Sequence, residues 1–356
     1  MNKNNKAILF IGFNDFRDFK RGVENVILSQ VGAIENRDIY YIYNSKNCFE
    51  EYTYEGIKCI GVPGRMLRYV YPSILARKLK NKYKNVFIHS HNPLSSLFLL
   101  YKSDCLTVHD GLYYTRKYLR PKISYIFKLL EKLTYKKVKN IHYISNFTRS
   151  QMVSTSTKST LIYNTTPIEK EIKKVKEIKP NKYLSSKGRN FFCVRGIQRR
   201  TRIDLLIDLA KENKKNKLED KIFVAGKGEL LEFYQNKIIN EKLTEYIELL
   251  GFVADDELVN YYKFCDAVIV TAESGEGFGL PIIEGYLFNK PVFCSKVCAM
   301  PEVIIDKSYM FQNDGNAIFN CINRYNFNSE YYYSYYINNY SNKVIQEQYK
   351  NKIYKR

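Results

Sequence analysis

A two-domain α/β fold, each domain a parallel sheet between layers of helix, is predicted by three features of this chain. At 356 residues it exceeds one ordinary core and fits two domains of roughly 150 to 200 residues each. Short β-branched runs alternate with helix-length amphipathic stretches in both halves. A polar, charge-mixed stretch at 171–190 without apolar periodicity separates a first domain over 1–170 from a second over 191–332, with 333–356 as a closing helical segment.

Residues 7–12 form a first strand, and Gly22 supplies the turn into a helix from about residue 23. Strands follow at 38–43 and 57–62. A basic helix over 69–85 carries five Lys+Arg and no acid, and its apolar positions include Ile74, Leu75 and Leu79. Strands at 86–89 and 106–108 end in His89-Ser-His91 and His109-Asp110. Ligands of open α/β sheets sit beyond the carboxyl ends of strands, which puts His91 and His109 at a cleft. For His89 and His91 the alternative of satisfied core histidines stands equally. These two share a strand face, but no third ligand accompanies them, so no metal is expected.

Residues 113–140 hold nine Lys+Arg against one acid, Glu131, interleaved with Tyr114, Tyr118 and Phe127. They read either as an interfacial helix broken near Pro121 or as a solvated helix with an ordinary core face. A strand at 141–145, a helix start capped by Ser145 or Asn146, and a strand at 161–164 complete the first domain. In the second, a strand at 191–194 leads into an arginine cluster, Arg195, Arg199, Arg200 and Arg202. A helix at 203–212, a strand at 222–225, the turn Gly226-Lys227-Gly228, a helix at 229–240 and a strand at 246–250 follow. Asp255, Asp256 and Glu257 favour a helix start there, acids lying at its positive end. Residues 314–324 and 329–356 read as helices.

The run from 267 to 302 carries the chemistry. Ala267-Val-Ile-Val270 is a buried parallel strand, followed by a loop bearing Gly275, Gly277 and Gly279 and by Pro281 at helix position N1. The glycines admit a ligand close to the backbone, and the free N–H groups of the helix start favour an anion. Two carboxylates, Glu276 before the helix and Glu284 inside it, suit sugar hydroxyls rather than phosphate, because a carboxylate accepts two hydroxyls at once. Phosphate plus hydroxyls describes a sugar nucleotide.

Glu276-Gly-Phe-Gly-Leu-Pro-Ile-Ile-Glu284, with Asn289-Lys-Pro-Val and Met300-Pro-Glu302 after it, resembles the E-x7-E motif of the family-4 retaining glycosyltransferases (glycosyl transferases group 1). The resemblance implies the GT-B architecture, two Rossmann-like domains facing a cleft, with the last helix crossing back to the first domain. It implies that Glu276 contacts the donor sugar and Glu284 the ribose hydroxyls, in the loop of Gly277, Phe278, Gly279 and Leu280. Phe252 and Val253 match the segment under the nucleobase. His109, in Thr107-Val-His-Asp-Gly, matches a histidine at the reaction centre, reached by domain closure. Arg21-Gly22-Val-Glu24 resembles the family's Gly-Gly-x-Glu turn with the first glycine replaced. The family's diphosphate-gripping Arg and Lys fall near Arg195 and Thr201, flanked by Arg200 and Arg202, so charge is kept while the order of residues departs from the pattern. The implied activity is hexosyl transfer with retention, from a UDP- or GDP-sugar to a glycan or lipid-linked acceptor, in bacterial cell-surface polysaccharide synthesis such as capsule or O-antigen. No cofactor beyond the donor is required.

Net charge is +21 and uneven: residues 1–170 hold 28 Lys+Arg against 12 Asp+Glu, the rest 29 against 24. Such a field suits anionic lipid, nucleic acid or a phosphorylated substrate. The basic segments 69–85 and 113–140 favour a first domain docked peripherally on the inner face of the plasma membrane. Eight scattered cysteines without a C-x-x-C pair fit a cytoplasmic protein, and no run approaches the length of a membrane span. Two alternatives remain: a sugar-nucleotide epimerase of the same architecture, and a basic non-enzymatic nucleic-acid-binding protein. Against the second stands the lack of glycine-aromatic RNA motifs, so no specific nucleic acid is expected.

Overall fold

The computed structural model describes residues 5–18, 22–64, 66–114, 122, 124–172, 188–324 and 331–355. The chain forms two compact units, Met1–Asn164 with Ile345–Arg356, and Thr165–Val344. Most of the 171–190 stretch expected as a linker lies outside the described residues, as do Arg21 and Pro121.

In the first unit the strands are β1 (Lys6–Ile11), β2 (Asp38–Ser45), β3 (Glu50–Tyr54), β4 (Ile57–Pro63), β5 (Asn85–Ser90), β6 (Cys105–Val108), β7 (Ile141–Tyr143) and β8 (Ser159–Leu161). Their order is β3-β4-β2-β1-β5-β6-β7-β8, parallel except for β3. That edge strand, not foreseen, pairs antiparallel with β4 across a Glu55-Gly56 turn in which both residues have positive φ. Side chains alternate across β1: Ile8 and Phe10 enter one core, Ala7, Leu9 and Ile11 the other. The first core is completed by Ile345, Tyr349, Ile353 and Tyr354. The expected continuous C-terminal helix is instead three pieces, Tyr332–Asn339, Asn342–Tyr349 and a π-helical turn Lys350–Tyr354.

Two helices of this unit expose apolar surface. The helix expected at 69–85 runs Leu67–Lys82, stopping earlier because Asn85 already belongs to β5. It buries Leu75, Ala76 and Leu79 but leaves Leu67, Val70 and Ile74 exposed. Helix Ser124–Lys136 is inverted: Ser124, Glu131, Thr134 and Tyr135 face the protein, while Tyr125, Ile126, Leu129 and Leu133 face outward. Glu131 explains the inversion, since its carboxylate accepts the Tyr113 N–H at 2.7 Å, the Val153 N–H at 3.0 Å and the Tyr135 hydroxyl at 2.9 Å. A buried charge so satisfied fixes which face turns inward.

The second unit holds β9 (Asn190–Val194), β10 (Lys221–Ala225), β11 (Ile247–Gly251), β12 (Ala267–Val270), β13 (Val292–Ser295) and β14 (Met310–Phe311). All pairs are parallel, in the order β11-β10-β9-β12-β13-β14. This is the 3-2-1-4-5-6 order of a Rossmann sheet, with its switch point between β9 and β12. Residues following those two strands, Arg195 and the 271–279 loop, are thereby brought together. Helix Leu280–Leu287 lies so close to the sheet that a β-carbon on Gly285 would stand 2.6 Å from Val292.

Candidate functional site

In the second unit the site grows from the loop after β12. Gly279, with φ of 94°, is the N-cap of helix Leu280–Leu287, so Pro281 sits at N2, one position later than its sequence suggested. The left-handed turn at Gly279 makes this shift, and a β-carbon there would stand 3.0 Å from Ile282. Glu276 is held at both ends: Oε1 accepts the Gly279 N–H at 2.8 Å, and Oε2 meets Arg195 Nη1 at 2.5 Å. Burial alone would raise its pKa. The Arg195 charge and hydrogen bond, with the Gly279 N–H, more than offset that, and the carboxyl titrates below its ordinary range.

Arg195 is only 8% exposed, and its Nε and Nη2 have no hydrogen-bond partner. Arg200 lies on the exposed side, donating from Nη1 to the Gly275 carbonyl at 3.1 Å and from Nε to Gln198. Arg202, at φ 53°, turns away into a two-point pair with Asp204. The two loops are laced together by Glu273 N–H to Arg200 O at 2.8 Å and Thr271 Oγ1 to Thr201 O at 2.7 Å. Gly226 and Gly228, legible in sequence only as a turn, let that turn run against the arginine loop. A β-carbon would reach the Arg195 carbonyl at 1.8 Å and the Ile197 carbonyl at 2.0 Å.

Glu284 is buried one turn into the helix, accepting the Thr166 hydroxyl at 2.9 Å and the Tyr262 hydroxyl at 2.5 Å. Phe278 is buried, edge-on to Tyr340 at 6.0 Å, and acts as packing for the loop. Phe252 is 69% exposed after β11 with Lys227 Nζ 5.1 Å from its ring centre, and Val253 beside it is half-buried. Gly277 and Leu280 are partly exposed on either side of Phe278 and Gly279.

In the first unit, Gly22 caps helix Val23–Val31 at φ 74°, with nothing near a β-carbon; the backbone conformation alone calls for glycine there. All four histidines of the chain join one network at the carboxyl ends of β5, β6 and β7. His91 Nδ1 lies 2.9 Å from His109 Nε2, and His91 Nε2 2.9 Å from Gln30 Oε1. Gln30 Nε2 reaches Thr107 Oγ1 at 3.2 Å. Thr107 also meets His89 Nε2 at 2.8 Å and His142 Nδ1 at 2.9 Å. His89 Nδ1 contacts the Tyr354 hydroxyl at 2.7 Å, and His142 Nε2 the Ile162 carbonyl at 3.0 Å. His89 and His91 are core histidines, not cleft residues; only His109 is half-exposed. Burial holds all four neutral, His142 down at about 4 and His109 at about 3. Gln30, Thr107 and Tyr354 carried no sequence signal for this role.

Known proteins show the same architecture. Anabaena HepE in complex with UDP superposes with a TM-score of 0.74 at 14% identity, covering 98% of this chain and 100% of that one. A glycosyltransferase from Rickettsia africae gives 0.74 at 16% identity, covering 99% and 100%. In sequence, 104 residues are 32% identical to an uncharacterized glycosyltransferase of Methanocaldococcus jannaschii, and 74 residues are 39% identical to the O-antigen chain mannosyltransferase B of Escherichia coli. The matched stretches span 28% and 19% of those relatives. The family model of glycosyl transferases group 1 matches residues 175–324, which hold the arginine cluster and both glutamates. Residues 175–324 are therefore a group 1 glycosyltransferase domain, carried by a chain with the GT-B fold.

Proposed function

We propose that the protein transfers a sugar, with retention, from a UDP- or GDP-sugar to a glycan or lipid-linked acceptor in cell-surface polysaccharide synthesis. The observation that carries this is the Glu276–Arg195 pair beside the N-terminus of helix Leu280–Leu287, in which Arg195 keeps two unspent donors. An ionised carboxylate for sugar hydroxyls thus stands next to a guanidinium and the positive end of a helix for a diphosphate. Glu276 serves as a positioning acceptor and not as a nucleophile. With both oxygens tethered and its pKa lowered, it is a weak base. The leaving diphosphate is stabilised by Arg195, Arg200 and the backbone N–H of Leu280 at the positive end of its helix, and exposed Phe252 with Val253 offers a platform for the base. Glu284 holds the ribose hydroxyls, and His109 serves the transfer step.

A screen of nucleotide sugars by thermal unfolding tests this. A donor at a hundred times its dissociation constant should add about 2.7 kcal/mol, a rise in melting temperature that the free sugar alone does not produce. If no UDP- or GDP-sugar shifts the melt, donor binding is refuted.

We also infer that the first unit docks on an anionic membrane. Helices Leu67–Lys82, Pro93–Phe98 and Ser124–Lys136 pack side by side, joined by Tyr69 on Phe98 at 5.5 Å and by Lys137 Nζ on the Leu97 carbonyl at 2.9 Å. With the residues flanking them they expose Met66, Val70, Ile74, Phe98 and Leu100 around an apolar cavity of about 470 Å³ lined also by Arg77, and Ile126 and Leu129 on the third helix. Lys78, Lys80, Lys132, Lys136 and Lys137 are exposed on the same two long helices and the turn after them. The inverted helix favours a membrane over a solvated surface, because ordinary solvation would turn its leucines inward. Among the described residues no helix is long and apolar enough to cross a membrane. Each basic residue near an anionic leaflet is worth about 1 kcal/mol. Flotation with anionic vesicles at low salt should therefore carry the protein upward, and changing those five lysines to Glu should leave it behind. Binding untouched by the reversals refutes the docking.

A further inference from the structure

We propose that His91, Gln30, Thr107 and His142 are positioning residues that fix His109 as its Nε2–H tautomer, leaving Nδ1 as a hydrogen-bond acceptor for a substrate hydroxyl. This rests on His109 serving the transfer step.

The proton positions follow from one atom. The Ile162 carbonyl can only accept, so His142, neutral in its buried place, carries its proton on Nε2 and presents a bare Nδ1. Thr107 is the nearest donor to that nitrogen, and its hydroxyl has one proton, which therefore goes to His142. The Thr107 oxygen is then an acceptor only. It receives His89 Nε2–H, which leaves His89 Nδ1 to accept from Tyr354, and it receives the Gln30 amide N–H. Gln30 is thereby oriented with Oε1 toward His91, whose Nε2 must donate to it. His91 Nδ1 is bare in turn, so His109 Nε2 donates to it. Every donor and acceptor along this path is used once in a consistent direction, and reversing any link would set two protons or two lone pairs against each other.

At its end stands His109, the half-exposed member, whose Nδ1 makes no hydrogen bond among the described residues. An imidazole so held offers a lone pair and no positive charge. It selects for an O–H group and against a second acceptor such as a carboxylate or phosphate oxygen. The ligand at this nitrogen is thus a hydroxyl of the donor sugar or of the incoming acceptor.

Histidine labelled with 15N in the full chain gives four side-chain signal sets, few enough to resolve. Two-bond proton–nitrogen correlation at neutral pH should show all four rings neutral with the proton on Nε2. A proton on His109 Nδ1, or a cationic His109, overturns the proposal. His91→Leu removes the acceptor and should leave His109 a mixture of tautomers. With UDP-glucose and GDP-mannose as donors, its kcat should fall about tenfold, the scale of one hydrogen bond, while KM for the donor changes less than twofold. His91→Asn places an amide oxygen where Nδ1 stood and should restore both the single tautomer and most of the rate. A folded His91→Leu protein with full kcat overturns the positioning role. If His91→Leu does not fold, the wild-type spectrum still decides. A wild type that transfers no sugar but shows the expected tautomers refutes the function and leaves the hydrogen-bond path standing.

Discussion

Replacing Glu276 by Gln is expected to cut sugar transfer by about a hundredfold or more while nucleoside diphosphate binding persists. The amide keeps the shape and one acceptor but loses the charge that Arg195 and the Gly279 N–H hold in place. Arg195, almost fully buried, is then left without its counter-charge, and breaking such a pair costs about 3–5 kcal/mol. Loss of activity must therefore be read per folded molecule, with a melt beside every rate. A Glu276→Gln protein that stays folded and transfers sugar at the wild-type rate would remove Glu276 from the site.

Glu131→Leu should strongly destabilise the first unit. It strips partners from the Tyr113 and Val153 N–H groups and from the Tyr135 hydroxyl. At about 1–3 kcal/mol for each unsatisfied group, the loss should reach about 3 kcal/mol or more. Glu131→Gln, which keeps an acceptor on one side, should lose about half as much. Urea unfolding measures both, and a Leu variant within about 1 kcal/mol of wild type would show that the carboxylate does not hold the helix. The same change should weaken vesicle binding, because the helix would no longer be pinned with its leucines outward.

What the sequence disclosed and what it hid divide along physical lines. The strands of the second unit were legible because Val268-Ile-Val270 or Ile222-Phe-Val224 are short β-branched or aromatic runs between helix-length segments. The glutamates were legible because their spacing and the glycines around them are local. Arg195 was seen as a cation, but its partner Glu276 lies far along the chain, joined to it only by the neighbouring of β9 and β12. Gly226 and Gly228 looked like turn residues since nothing local reveals the carbonyls pressed against them. Histidine roles were half legible: position at strand ends was, burial was not, since Gln30, Thr107 and Tyr354 reach the cluster from three distant segments. The helix at 124–136 shows its period in sequence, but periodicity cannot tell which face turns inward when one buried glutamate outweighs four exposed apolar side chains. Edge strand β3 escaped because Glu50-Glu-Tyr-Thr-Tyr54 is too polar to read as sheet.

The packing of Ile345, Tyr349, Ile353 and Tyr354 into the first core has a consequence for biosynthesis. On a ribosome, the strands of the first unit emerge long before these residues, with all of Thr165–Val344 translated in between. Until they arrive, one face of the sheet lacks part of its cover and His89 lacks the Tyr354 hydroxyl. The first unit to be made is thus the last to be finished. Its completion closes a loop around the whole second unit, a step whose entropic cost grows only slowly with loop length, and which falls more easily to a chain whose second unit has already folded.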